Sequence, residues 1–390
     1  MQNNSTVKNS NNISWESVLE LIYDSRVDSV GLKERVSSLA TRSIKKDSKL
    51  QALKMVVSMC DLTTLEGEDT EGKISQMAAK AINPDPSDKE INSVAAVCVY
   101  PSLVETAKEK VINSSVKVAA VSSYFPSGQV PMDSKILDTQ YAIDAGADEI
   151  DIVINRKAFL EGDYRKVFDE IVALKEVCKN VHLKTILEVG DLKTYENIRK
   201  ASLISLAAGS DFIKTSTGKL SIGSSREACY VMLKAVLDYK SLTGISAGIK
   251  VAGGMPAVVA HTEIDPSKKT VLLYAHHDVQ PVGDLDLWNT EPFDPVVKEG
   301  RLYGRGSGDN KAGVVVHYNV VKQLLEDLPV NIRIFIEGEE EIGSPTMSDF
   351  IEQNREALEA DVIVIADSGN VKIGVPTITT SLRGLADAII

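Results

Sequence analysis

DFIKTSTGK, residues 211–219, runs from a short apolar stretch into a polar turn and leaves Lys214 where the stretch ends. AGIKVAGG, residues 247–254, repeats that design with Lys250. Five earlier runs have the same character: MVVSMCDLT (55–63), SVAAVCVYP (93–101), VKVAAVSSY (116–124), DEIDIVIN (148–155) and VHLKTILEVG (181–190). Amphipathic stretches such as DYRKVFDEIVALKEVCK (163–179) and REACYVMLKAVLDYK (226–240) lie between them. Strands alternating with helices predict repeated βα units and a parallel sheet. An open doubly wound sheet and a closed (β/α)8 barrel both satisfy that pattern. The chemistry-bearing residues Asp61, Cys98, Asp151, Lys184, Lys214 and Lys250 all fall toward the C-terminal ends of the strands, where a barrel gathers its reactive groups around one mouth. The barrel is therefore favoured, although the pattern yields seven strands before it changes near Met255.

The chain has 390 residues, 25% of them charged, and a formal net charge of −12. That balance argues against nucleic acid and anionic membrane as partners. The polar start MQNNSTVKNSNNISW has no apolar secretory core, and no run of about 18 apolar residues follows, so a cytoplasmic protein is expected. Cys60, Cys98, Cys178 and Cys229 are too scattered for a disulfide framework and read as reduced thiols. Self-association is left open.

A lysine amine at a strand end is a nucleophile toward a carbonyl once it loses its proton. If adjacent strands bring Lys214 and Lys250 within about 5 Å, their repulsion of roughly 3 kcal/mol at an effective dielectric near 20 favours that loss by about two pKa units. Asp151 ends DEID on the fourth strand and can move protons at the same mouth, or else pair with Lys184 or Lys250. Gly218, Gly253 and Gly254 follow the lysine strands, where bare amides approach a phosphate closely; as isolated glycines they are turn residues.

Five segments in order, DLTTLEGEDT (61–70), CVYP (98–101), GADEIDIVIN (146–155), DFIKTSTGK (211–219) and KVAGG (250–254), make residues 1–255 resemble the deoxyribose-phosphate aldolase family. The resemblance implies a TIM-barrel lyase that reversibly cleaves 2-deoxy-D-ribose 5-phosphate to acetaldehyde and D-glyceraldehyde 3-phosphate without a cofactor. It gives Lys214 the Schiff base, Lys250 the tuning of its pKa, Asp151 the proton relay, and Gly218, Gly253 and Gly254 the phosphate. Cys98 matches a family cysteine near the mouth, with a packed thiol as the plain alternative.

From residue 256 the text starts afresh. YAHHDVQP (274–281), GRGSGDNKAG (304–313), EGEEEIGS (337–344) and VIVIADS (362–368) set imidazole and carboxylates at strand ends, a donor set for zinc. These motifs resemble the M20 metallopeptidase family over 256–390 and imply a partial α/β catalytic domain. By that resemblance His276, Asp309, Glu341 and Asp367 hold metal, Glu340 is the general base and Asp278 supports His276. Both resemblances stop short of the full family pattern: the first lacks its eighth strand and the second its later metal-ligand histidine. The reading is therefore an aldolase-like domain joined to a truncated peptidase-like one, with a zinc-dependent peptidase or an inactive fusion as the alternatives.

Overall fold

The computed structural model describes residues 15–379 apart from 24, 87, 221–222, 254–256 and 373. It divides into two compact units, Met1–Gly253 and Gly254–Ile390.

The first unit is built on seven strands: β1 Asp61–Thr63, β2 Ala96–Val99, β3 Lys117–Val121, β4 Glu149–Val153, β5 His182–Ile186, β6 Phe212–Lys214 and β7 Gly248–Lys250. All neighbours are parallel and their order in the sheet is their order in the chain. A doubly wound sheet reverses strand order at a switch point; this one has none. Lys250 on the last strand bonds Asp61 on the first at 2.5 Å, so the sheet curls until its two ends lie within one side-chain pair of each other. The unit is therefore a TIM-barrel-like (β/α) fold with seven strands of its own among the described residues, as expected.

Alternation along each strand builds both sides of the wall. Val97, Val99, Val118, Ala120, Ile150, Ile152, Leu183 and Ile213 join the helices in one large apolar core, while Ala96, Cys98, Ala119 and Val121 form a separate cluster with Leu65. The helices close that outer core by regular spacing: Val167, Phe168, Ile171, Leu174 and Cys178 are the buried face of the helix Tyr164–Cys178, whose first turn is capped by Asp163 accepting from the Lys166 amide. Each large aliphatic side chain so buried contributes roughly 1.5–3 kcal/mol.

The first strand departs from the sequence reading. Met55–Ser58 belong to the helix Lys46–Ser58, and only Asp61–Thr63 pair with β2. The two valines resemble strand residues, yet Val56 and Met55 are exposed, and β2 begins only at Ala96, opposite Asp61. On β7, Gly248 leaves room for the Phe212 ring of β6, since a Cβ there would lie 2.3–2.4 Å from ring carbons. Gly248→Ala is expected to cost roughly 1–3 kcal/mol by forcing the ring aside, read as a lowered urea midpoint.

The second unit has a four-stranded sheet in the order β13-β9-β12-β8, with β8 Val258–His261, β9 Thr270–His276, β12 Asn331–Glu337 and β13 Val362–Ile365. β9 lies between β12 and β13, parallel to both, and β8 runs antiparallel to β12. Leu272 and Phe335 form its buried centre, with Phe350 stacked on Phe335 at 5.4 Å. The helix Lys311–Leu324 lies against β9, where His317 Nε2 meets the Tyr274 carbonyl at 2.9 Å. A hairpin, β10 Val296–Lys298 and β11 Arg301–Tyr303, turns on Glu299 and Gly300, both at positive φ. Among the described residues no helix is long and apolar enough to cross a membrane.

Candidate active site

Asp151 and Lys184 are register partners on β4 and β5, and Lys214 and Lys250 are register partners on β6 and β7. The period of two turns all four away from the outer core, together with Asp61 and Glu149. Lys214 Nζ donates to Asp151 Oδ2 at 2.7 Å, and both residues are buried. Lys184, fully buried, lies 3.5 Å from Asp151 Oδ1, 3.0 Å from Asp61 Oδ2 and 2.5 Å from Glu149 Oε2. Lys250 completes the set through Asp61 and the Met59 carbonyl, the latter at 2.9 Å. Three ammonium groups thus face three carboxylates, which is how so much charge survives burial.

Burial alone pulls the Lys214 pKa down, but the Asp151 carboxylate, Cys98 and the hydrogen bond to Asp151 outweigh it, and the net direction is upward. Lys184 also opposes the rise. In this resting geometry Asp61 occupies the Lys250 ammonium and Asp151 dominates the field at Lys214, so the direction is upward where the lysine pair alone would lower it. Burial pushes Asp151 up, yet Lys184 and Lys214 together bring it below the usual carboxylate range. Lys184 moves up, since Asp151, Asp61 and Glu149 overcome its desolvation. Cys98 is pushed up to about 12 by burial and then by Asp151, so it is a neutral packed thiol at pH 7.

These shifts fix a pH window. The lowered Asp151 contributes stability in full above about pH 3.9, its unfolded value, and loses it as pH falls through the folded value. The raised Lys184 and Lys214 contribute in full below about pH 10.4 and lose it as pH rises through theirs. Denaturant midpoints are expected to fall on both sides of that window, with Asp151→Asn reducing the acid-side slope to what the other lowered carboxylates, Asp69, Asp265 and Asp361, supply.

Gly218 has φ +78° and open space around the position of a Cβ. At Gly253, φ +79°, a Cβ would come within 3.1 Å of Ser216 Cβ and of Gly223 Cα, so only glycine permits that approach. Gly254 lies outside the described residues. Glu149, not singled out from the sequence, was visible in the same alternation as Asp151, two residues on.

In the second unit His276 closes β9 with no exposure. Its Nδ1 lies 3.2 Å from Asp278 Oδ1, and its Nε2 lies 3.0 Å from Asp309 Oδ1 and 3.7 Å from both Glu340 Oε2 and Asp367 Oδ2. Burial lowers the His276 pKa, but Asp367, Glu340, Asp278 and Asp309 carry it upward overall. Two overlapping donor groups result, His276 with Glu340 and Asp367, and His276 with Asp309 and Glu341, each with its atoms within 4.8 Å. The Glu341 amide donates to Asp278 Oδ2 at 2.9 Å, so Asp278 ties the imidazole to the glutamate pair. One imidazole edge ringed by anions suits a divalent cation, with Asp278 orienting the ring from behind.

A curled parallel β/α sheet thus carries a buried lysine and carboxylate in contact at its strand ends. Residues 55–269 match the DeoC/LacD family aldolase model, and the chain belongs to that family. Residues 272–380 match peptidase family M20/M25/M40. The chain is 41% identical over 226 residues to deoxyribose-phosphate aldolase of Homo sapiens and 40% identical over 226 residues to that of Mus musculus, in each case covering 55% of this chain and 71% of the relative. Among solved structures, human carnosine dipeptidase 1 is 43% identical to 32% of this chain, which spans 27% of that protein, with a TM-score of 0.29. The aldolase match runs beyond Gly253, whereas the hydrogen bonds of Val258–His261 to β12 put that strand in the second sheet.

Proposed function

We propose that the chain is a lyase that reversibly cleaves 2-deoxy-D-ribose 5-phosphate through a Schiff base on Lys214. The observation that carries this reading is the buried Lys214–Asp151 pair at 2.7 Å in a chain of the aldolase family. At rest the pair is ionic, and a docked aldehyde needs the free amine. The Lys214 proton passes to solvent as the aldehyde docks. The amine then adds to C1, water leaves, and the iminium forms. Loss of the C3 hydroxyl proton breaks the C2–C3 bond, releases D-glyceraldehyde 3-phosphate and sends the electron pair through C2 to the iminium nitrogen as an enamine. Protonation at C2 and hydrolysis of the imine free acetaldehyde and restore Lys214. Asp151, alternately acceptor and donor, serves the proton steps at the C3 hydroxyl and at C2. Gly218, with open space around it, and Gly253, where only glycine fits against Ser216, are the backbone positions assigned to the phosphate, and the imine chemistry itself calls for no metal or organic cofactor. The test is product analysis after incubation of folded protein with the sugar phosphate: equal amounts of the two aldehydes are expected, and neither product contradicts the reading.

The crowding of carboxylates on His276 supports a second reading, a zinc site in the second unit. His276, Asp309, Glu341 and Asp367 would hold the ion and Glu340 would stand beside it as general base. Bound zinc supplies a Lewis acid and an acidified water. Zinc titration by calorimetry is expected to give binding that His276→Ala abolishes; equal binding by the variant counts against the site.

A further inference from the structure

Glu188 is a fully buried carboxylate that the reaction described above does not use. It stands two residues beyond β5 in the left-handed region, φ 56° and ψ 66°, a conformation a non-glycine residue keeps only when its surroundings hold it. What holds it is the loop that follows Lys214. Thr217 Oγ1 donates to Glu188 Oε2 at 2.5 Å, and the Thr217 amide points at both carboxylate oxygens from 3.3 and 3.4 Å. The adjacent Val189 amide donates to the Thr215 carbonyl at 2.9 Å. Thr217 Oγ1 in turn accepts from the Lys219 amide at 3.1 Å, which sets the peptides on either side of Gly218. Behind the carboxylate, Arg156 Nη1 lies 3.8 Å from Glu188 Oε2 and 2.7 Å from Asp191 Oδ2, bracing the acid from the β4 side.

Within the loop so fixed, the Ser216 hydroxyl is buried and has no hydrogen-bond partner among the described residues. A buried hydroxyl normally finds one, so Ser216 keeps a donor that no described residue takes up. It lies against Gly253, where a Cβ would come 3.5 Å from the Ser216 hydroxyl, and two residues further on Gly218 has open space around its Cβ position. The loop therefore presents a hydroxyl and uncovered backbone together, the donor set an anionic oxygen cluster requires, and Glu188 is the group that keeps them in place.

We propose that Glu188 is a positioning residue that shapes the Thr215–Lys219 loop and thereby sets affinity for the substrate's phosphate. This deepens the aldolase reading and rests on it for the identity of the anion. A carboxylate accepts from both the amide and the hydroxyl of Thr217. Glutamine in its place keeps one acceptor and turns an NH₂ toward the other donor, so one bond is lost and the charge with it.

The test uses the full chain with Glu188→Gln and, as a second variant that leaves the acid in place, Thr217→Val. Amide hydrogen exchange is read first: losing one charge-assisted bond is expected to speed exchange in segment 215–219 by about tenfold or more, with the helix Tyr164–Cys178 unchanged. Steady-state kinetics follow. For 2-deoxyribose 5-phosphate, KM is expected to rise about tenfold while kcat changes by less than about threefold, and the loss in kcat/KM for unphosphorylated 2-deoxyribose is to be several-fold smaller. Unaltered exchange in 215–219, or equal losses on both sugars, overturns the assignment. If the unmodified chain turns over neither sugar, the aldolase reading fails by itself, and hydrogen exchange still decides whether Glu188 holds the loop.

Discussion

Lys214→Met is expected to lower kcat/KM for 2-deoxyribose 5-phosphate by on the order of 10⁴-fold or more, because removing a covalent nucleophile removes the whole imine route rather than one interaction within it. Methionine nearly conserves the volume, so the wall around β6 is not opened. The charge balance does change: Asp151 keeps Lys184 at 3.5 Å as its remaining cationic neighbour. Lys214→Arg separates the two effects. It restores a cation opposite Asp151 and cannot form the imine, so it should recover stability lost in the methionine variant while remaining inactive. Kinetics of acetaldehyde release and urea unfolding, measured on both variants, check this. Activity in either variant above the stated loss removes Lys214 from the mechanism.

The second large effect separates chemistry from charge. Asp151→Asn removes the main charge that raises Lys214, so the amine titrates at lower pH and adds to an aldehyde more readily near neutrality. Yet the group that serves the C3 hydroxyl and the C2 carbon is gone, and turnover is expected to fall by about 10²- to 10⁴-fold. Imine formation and turnover should therefore move in opposite directions. Because Lys184 and Lys214 both lose a buried partner, a stability loss of roughly 3–5 kcal/mol accompanies the change. Single-turnover trapping beside steady-state rates reads both. If trapping and turnover fall together, Asp151 only holds Lys214 in place.

Much of this architecture was legible because its signals are local. Alternation within DEID and HLKTI puts Glu149, Asp151 and Lys184 on one side of the wall, and the strand-end lysines of DFIK and AGIK follow from the same period. Relations between distant segments were not legible. Lys184 pairs with Asp61 across 123 residues of chain, and Lys250 with Asp61 across 189. The direction of the Lys214 shift likewise rests on a distant contact, the Asp151 carboxylate that opposes its burial. The helix ending at Ser58 was misread because its Val56–Val57 pair suits a strand by composition, whereas strand length was decided by where β2 begins. Glu188 escaped notice for a related reason: its role lies in a left-handed backbone and in Thr217, neither of which any spacing announces. In the second unit, the motif order marked the residues around His276. That Glu340 as well as Asp309 and Asp367 comes within 4 Å of its Nε2 required the folded sheet.

The central claim is that Lys214 forms a covalent imine in this chain. It is tested most directly by borohydride reduction in the presence and absence of 2-deoxyribose 5-phosphate, followed by intact and peptide mass spectrometry. The account predicts a substrate-dependent adduct confined to the peptide that carries Lys214. Folded protein that shows no adduct, or an adduct on another lysine, contradicts it.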